Sequence, residues 1–321
     1  MRVFVVGNYM NANFLQVDHL PQKGESLPAR SAFQEHGGKG LNLALGLQRL
    51  GVTVDLLMVV GQDSMGTAVL AALASEGLST QYCHQLGEQS GYGVGFIAPD
   101  GSNFLAAYLG ANILLSANHV FRADKALQAA QYVIAQFEVA DEPIVAAFQR
   151  AHERGIPTYL NPSPWRPIDP DILQYTDVLV VNVSEAASLF TEPAVLDWQP
   201  SDWTHGLAGL ARKIGWQGQL LCITLAERGA IALDEQHDTH WVAAFEVGQL
   251  DATGAGDAFG CGLIRSILMK ENLADALRYA NACGAMIAAR QGIFAHLPSA
   301  TQVQQFLAQQ AAAIKLSSFP D

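Results

Sequence analysis

The chain is expected to fold as a three-layer, Rossmann-like α/β structure: a mostly parallel sheet with helices on both faces, plus a small separate β-sheet. Three observations lead there. Short apolar runs recur along the chain, each ended by glycine or polar residues and followed by a stretch with helical spacing. Repeated strand-then-helix units of this kind argue for a parallel sheet covered on both sides. Two segments, about 12–34 and 91–109, read instead as extended pieces outside that alternation. Finally, 321 residues at 50% hydrophobic content suffice for a large core, with no repeat, low-complexity tract or interdomain linker. A single domain over 1–321 is therefore expected.

Taken in order, residues 3–6 form a first buried strand, ended by Gly7. Asn8, Tyr9, Asn11 and Asn13 follow at its C-terminal end, the edge where open α/β sheets bind ligands. The alternative is a polar turn that uses asparagine's tolerance of unusual backbone angles. A loop at 20–25 leads to an extended piece ending near Phe33. The stretch HGGKGLNLA at 36–44 crowds glycines at a helix start, with Leu41, Ala44 and Leu45 as its apolar face. Paired glycines let a substrate approach the backbone closely, and Asn42, one turn in, offers a donor and an acceptor. The spacing is not that of a P-loop. Residues 54–60 are a second buried strand, and Ser64 is read as the N-cap of a helix running to Ser75, with Asp63 structural.

Residues 91–98 and 103–108 flank Asp100-Gly101, a strong hairpin pair. With the piece at 12–34 they make the small sheet. Asn112 reads as a turn former. Residues 132–137 form a strand with Glu138 at its end, followed by a helix at 143–154 and a short strand at 158–160. A strand at 177–181 delivers Asn182 and Glu185 to a helix start. Their spacing suits either a capping pair or a Mg²⁺ ligand set acting partly through water. The Pro- and Trp-containing stretch 192–203 reads as a surface loop. A helix near 203–214, a strand at 220–225 carrying Thr224, and helices near 273–290 and 300–314 complete the chain.

The charge balance excludes some partners. Lys plus Arg is 18 against 30 Asp plus Glu, a net charge of -12. Nucleic acids and anionic membranes are bound mainly by basic surface, so neither is expected. No apolar run approaches the ~20 residues of a membrane span, and the N-terminus reads as a strand, not a signal peptide. The four cysteines, Cys83, Cys222, Cys261 and Cys283, show no metal or CxxC spacing. They fit a reducing, cytoplasmic protein.

The most chemical stretch is DATGAGDAFGCG at 251–262. Gly254 and Gly256 precede an apolar run with helical spacing, so a glycine-rich turn feeds a helix N-terminus. Unpaired amides and the positive end of the helix dipole make an anion site there. Asp257 stands in the first turn beside it. Such a pair suits a reaction that develops negative charge while removing a proton. Asp251 opens the loop and either binds a cation or holds the loop itself. The plainer alternative for Asp257 is an acidic helix start after a turn.

Asp-Ala-Thr-Gly-Ala-Gly-Asp-Ala-Phe resembles the C-terminal signature of the PfkB, or ribokinase-like, family of carbohydrate kinases, and Gly-Gly-Lys-Gly-x-Asn resembles its sugar-binding motif. The resemblance implies ATP-dependent phosphorylation of a sugar hydroxyl, ribokinase-like in type, with fructokinase or nucleoside kinase as alternatives. A non-catalytic sugar-binding relative is the alternative of another class. It implies that the amides of Gly254, Ala255 and Gly256 cradle the transferring phosphoryl group and that Asp257 is the base. Gly38, Lys39 and Asn42 become sugar contacts, with Asn11 and Asn13 opposite and Glu138 a further substrate-side residue. Asn182, Thr224, Gly229, Gly256 and Asn281 fall to the nucleotide, Glu185 to Mg²⁺, and Asp251, Thr253 and Gly292 to a monovalent cation such as K⁺. The small sheet becomes a lid over the sugar and a homodimer contact. Four positions depart from the family pattern: Asn13 for aspartate, Ala226 for glycine, Ala252 for threonine and His296 for a small polar residue.

Overall fold

The computed structural model describes residues 1–99 and 103–317. The chain begins with β1 (Arg2–Val6), whose residues 3–6 are wholly buried, as a strand covered on both faces must be. It then leaves the main sheet for β2 (Met10–Gln16) and β3 (Ser31–Gly37), and returns through α1 (Lys39–Arg49), β4 (Thr53–Val60), α2 (Ser64–Ser75) and β5 (Cys83–Gln85). A second excursion makes β6 (Gly91–Ile97) and β7 (Asn103–Tyr108). Alternation follows: α3 (Ala117–Arg122), α4 (Asp124–Gln128), β8 (Tyr132–Gln136), α5 (Asp141–His152), β9 (Thr158–Asn161), α6 (Pro170–Gln174), β10 (Val178–Asn182), α7 (Val183–Phe190), α8 (Pro200–Lys213) and β11 (Leu220–Thr224). The chain closes with β12 (Ala230–Asp234), β13 (Thr239–Val242), α9 (Ala255–Leu268), α10 (Leu273–Ala288) and α11 (Ala300–Ser317).

The main sheet has nine strands in the order β13-β12-β11-β10-β9-β8-β1-β4-β5. From β11 to β5 every pair is parallel, and β12 and β13 add an antiparallel edge. Side chains alternate across it. Val3 and Val5 face a core with Leu41, Leu45 and Leu263, while Phe4 and Val6 face a second core with Phe148 and Trp203. The expected three-layer α/β fold is therefore the fold observed. The sheet order reverses at β1, which sends the chain first towards β4 and later, through β8, to the other side. Ligands of open α/β sheets bind outside the strand ends at such a reversal.

The second sheet has the order β3-β2-β6-β7. β6 and β7 pair antiparallel as expected, and the Asp100-Gly101 turn lies outside the described residues. Phe14 and Phe33 stack across β2 and β3 with ring centroids 4.8 Å apart. Asn11 and Asn13 belong to this sheet rather than to the end of β1.

Two local expectations are corrected. The N-cap of α2 is Asp63, not Ser64, because Asp63 Oδ1 accepts the Gly66 amide at 2.7 Å. The stretch 192–203 is not a simple surface loop. Pro200 opens α8, where its fixed φ is preorganised for a helix, and Trp203 on the next turn is wholly buried against Trp198. Among the described residues no helix is long and apolar enough to cross a membrane.

Candidate active site

Three elements meet at the reversal point. Asn8 follows β1, Glu138 follows β8, and α1 starts between them at Gly38. Asn8 Nδ2 donates to Glu138 Oε2 at 2.9 Å, and Asn8 Oδ1 accepts the Gly40 amide at 2.9 Å. The Lys39 amide donates to the same Glu138 oxygen at 2.6 Å. The start of α1 is thus pinned to both strands. Its closeness requires glycine: a Cβ at Gly40 would lie 2.3 Å from Gly7 Cα.

Asp257 enters from α9, which packs along α1. Gly254 caps α9 at φ 77°, a left-handed conformation suited to glycine. Asp257 is 3% exposed, and its Oδ2 accepts from Asn42 Nδ2 at 2.8 Å. Among the described residues its Oδ1 has no hydrogen-bond partner, nor does Asn42 Oδ1, although both are buried. Lys39 Nζ lies 3.6 Å from Asp257 Oδ1, on a side chain 28% exposed. Burial pulls the Lys39 pKa down, but the carboxylates of Asp257, Glu138 and Glu185 outweigh it and raise the ammonium above its usual value. Burial likewise pushes Glu138 up, against the pull of Lys39. A fixed carboxylate with one unsatisfied buried oxygen is built to receive a hydroxyl donor.

The glycine turn beside it is only partly open. The Ala255 amide donates to Ala252 O at 3.1 Å, while the Gly254 and Gly256 amides have no acceptor among the described residues. Asp251 Oδ1 accepts the Thr253 amide at 2.9 Å, so this carboxylate holds its own loop. His296 Nδ1 lies 3.3 Å from Gly292 O.

Other candidates spread along the same strand edge. Asn182 and Glu185 form a reciprocal capping box at the start of α7: Asn182 Oδ1 accepts from Glu185 N at 2.8 Å, and Glu185 Oε2 accepts from Asn182 N at 2.9 Å. Glu185 Oε1 carries no bond among the described residues. Thr224 ends β11 beside Asn182 in register. Gly229 turns the chain at φ 94°, where a Cβ would meet Val242 O at 2.0 Å. Asn281 is buried, and its amide donates to Val242 O and Ala243 O at 3.0 and 3.1 Å, tying α10 to the end of β13. In the small sheet, Asn11 Oδ1 accepts from Gln34 Nε2 at 2.6 Å, and Asn13 Nδ2 donates to Asn11 O at 3.1 Å. Asn112 is buried and clamps Tyr9, accepting its amide at 2.9 Å and donating to its carbonyl at 2.7 Å.

Sequence reasoning missed two residues of this neighbourhood. Asn8 stands directly after a strand-ending glycine, but nothing in the sequence marks it as the bridge between β1 and β8. Glu35 was not singled out, yet its Oε2 accepts from Ile293 N at 2.7 Å and Phe294 N at 3.1 Å. Burial raises the Glu35 pKa despite these amides. Nothing local in the sequence marks a contact of this separation.

Known proteins resemble this chain along nearly its whole length. The pattern of the pfkB family carbohydrate kinases matches residues 1–300. Ribokinase of Staphylococcus aureus (strain COL) is 27% identical over 307 residues, covering 95% of this chain and 99% of that protein. Deoxyribokinase of Salmonella typhi is 29% identical over 311 residues, covering 96% and 99%. The structure of Arabidopsis thaliana ribokinase complexed with ribose and ATP superposes with a TM-score of 0.82 at 22% identity, over 95% of this chain and 98% of that one. A buried carboxylate beside a glycine-capped helix, at the reversal point of an α/β sheet, thus lies within a match that spans nearly the whole chain: the protein belongs to the pfkB family of carbohydrate kinases, phosphotransferases that act on an alcohol group.

Proposed function

We propose that the chain transfers the γ-phosphoryl group of ATP to a hydroxyl of a small sugar, a pentose of the ribose or deoxyribose kind, with Asp257 as the base. The observation that carries this reading is Asp257 itself. It is buried, oriented by Asn42, faced by the Lys39 ammonium, left with one unpartnered oxygen among the described residues, and carried in the first turn of the helix that Gly254 caps. The names of the relatives, ribokinase and deoxyribokinase, support the pentose.

Phosphoryl transfer asks the protein mainly for alignment, charge stabilisation and a proton acceptor. The sugar hydroxyl donates to Asp257 Oδ1. Its oxygen attacks the γ-phosphorus, the bond from that phosphorus to the β,γ-bridging oxygen breaks, and the proton passes to Asp257. ADP and a sugar phosphate result. The Gly254 and Gly256 amides and the start of α9 face the developing charge. Lys39 and Asn42, with Asn11, Asn13, Gly38 and Glu138, orient the sugar. Asn182, Thr224, Gly229 and Asn281 border the nucleotide.

Glu185 suits Mg²⁺, since one free carboxylate oxygen fits an ion that keeps most of its waters and takes the rest of its ligands from phosphates. When bound there, Mg²⁺ neutralises phosphate charge. A monovalent cation at Asp251, Thr253 and Gly292 fits less well. Asp251 Oδ1 is spent on the Thr253 amide, and His296 stands at the Gly292 carbonyl. The small sheet acts as a lid over the sugar, and a second copy covers its outer strand.

The test is ADP release with Mg-ATP against a panel of pentoses, hexoses and nucleosides. A pentose hit is expected, with kcat reduced ~10²-fold or more in Asp257→Asn, the usual worth of a general base. The Asn variant keeps the hydrogen bond to Asn42 and hence the fold. Turnover near wild type in that variant would remove Asp257 as the base. Silence on the whole panel, without ATP binding, would point to a non-catalytic relative.

A further inference from the structure

The loop between α10 and α11 is gripped from two sides. From the small sheet, Glu35 of β3 accepts the amides of Ile293 and Phe294 at 2.7 and 3.1 Å. The neighbouring His36 ring meets Phe294 edge-on at 5.3 Å. From α1, Arg49 Nη1 donates to Phe294 O at 2.9 Å and Leu297 O at 3.0 Å. Between these grips the Ile293 side chain lies against the cap of α9: a Cβ at Gly254 would sit 2.7 Å from Ile293 Cδ1. A carboxylate on the small sheet is therefore joined, through one loop residue, to the glycine that opens the phosphoryl site. Charge-assisted bonds from two successive amides hold a short loop firmly.

We propose that Glu35 is a positioning residue for phosphoryl transfer. Through Ile293 it fixes the Gly254 cap, so the seating of the small sheet sets the placement of the amides at the start of α9. Glu35 touches neither reactant in this scheme. The inference rests on the kinase reading for its kinetic consequence, but the physical linkage exists without turnover and is measurable without it. A misplacement near 1 Å at a reacting centre costs up to ~10²-fold in rate. Glu35→Ala removes both acceptors, whereas Glu35→Gln keeps one amide oxygen for the same donors.

The experiment measures kcat and KM for sugar and ATP, melting temperature, and hydrogen–deuterium exchange of residues 251–259 in wild type, Glu35→Ala, Glu35→Gln and Ile293→Val. In Glu35→Ala, kcat should fall roughly ten- to hundredfold with sugar KM little changed, and exchange at 251–259 should quicken while strand β11 stays protected. Glu35→Gln should recover much of kcat and of the protection. If Glu35→Ala does not fold, Glu35→Gln and Ile293→Val carry the same readouts in milder form. Unchanged kcat with unchanged exchange overturns the proposal. So does a loss of kcat in which melting temperature falls in step and exchange quickens evenly across the chain. If wild type phosphorylates no sugar yet exchange at 251–259 still quickens in Glu35→Ala, the kinase reading fails and the linkage stands.

Discussion

Asp63 shows how one side chain serves two elements. Its Oδ1 accepts from Gly66 N and Ser90 Oγ, both at 2.7 Å, and its Oδ2 accepts from Ser90 N at 2.7 Å. Partial burial pushes its pKa up, but these bonds outweigh it and hold the carboxyl below its usual value. A depressed carboxylate adds stability that is complete above the unfolded pKa of about 3.9 and is lost as pH falls through the folded value. Asp63→Ala should therefore cost about 1–2 kcal/mol at neutral pH, and the gap to wild type should narrow in acid; urea titrations across that range would check it. At this scale the sequence was most legible where residues sit next to one another. Gly254, Gly256 and Asp257 fall within a single helix turn, so their grouping is readable without the fold. Asp63 as a structural residue was also legible, though not as the cap. Glu35 and Asn8 were not, because their partners lie 258 and 130 positions away.

The start of α1 is the element on which the site's geometry depends most closely. Gly40 packs on β1 so tightly that a Cβ would lie 2.3 Å from Gly7 Cα and 2.5 Å from Asn8 N. Backbone on both sides leaves nothing flexible to give way. Gly40→Ala should cost about 3 kcal/mol or more by overpacking and lower activity further, since Lys39 and Asn42 move with the helix. Gly209→Ala, on α8 where a Cβ meets nothing within 4 Å, should stabilise by about 0.5–1 kcal/mol. Equal melting temperatures for the two variants would contradict this account. Strands and helices with strong period were visible in the sequence, down to β1, β4, β10 and α10. The antiparallel pair β12 and β13 was not foreseen, being short and without a distinctive pattern. Trp203 misled because Pro and Trp beside a helix start look like a loop until the indole finds the core.

At the scale of the molecule, the small sheet ends in an open edge. β7 is one of its two edge strands, and Phe104, Leu105 and Tyr108 on it are 62%, 58% and 59% exposed. Open strands with apolar side chains on both faces invite pairing with another chain. We expect Phe104→Glu with Leu105→Glu to convert a dimer to a monomer in analytical ultracentrifugation. A wild type that is monomeric at tens of micromolar would refute that contact. The family was legible from two motifs, whereas the edge and its exposure depended on the assembled sheet.

The Asn42–Asp257 bond joins residues 215 positions apart. Asn8, Lys39 and Glu138 await Asp257, which α9 brings late in synthesis. Closing so long a loop is entropically slow, and long-range contacts of this kind set folding speed. A growing polypeptide therefore holds Asn8, Lys39 and Glu138 well before Asp257 joins them. Under the proposed mechanism, turnover would then report that α9 has docked, and a chain halted before residue 255 would lack its base.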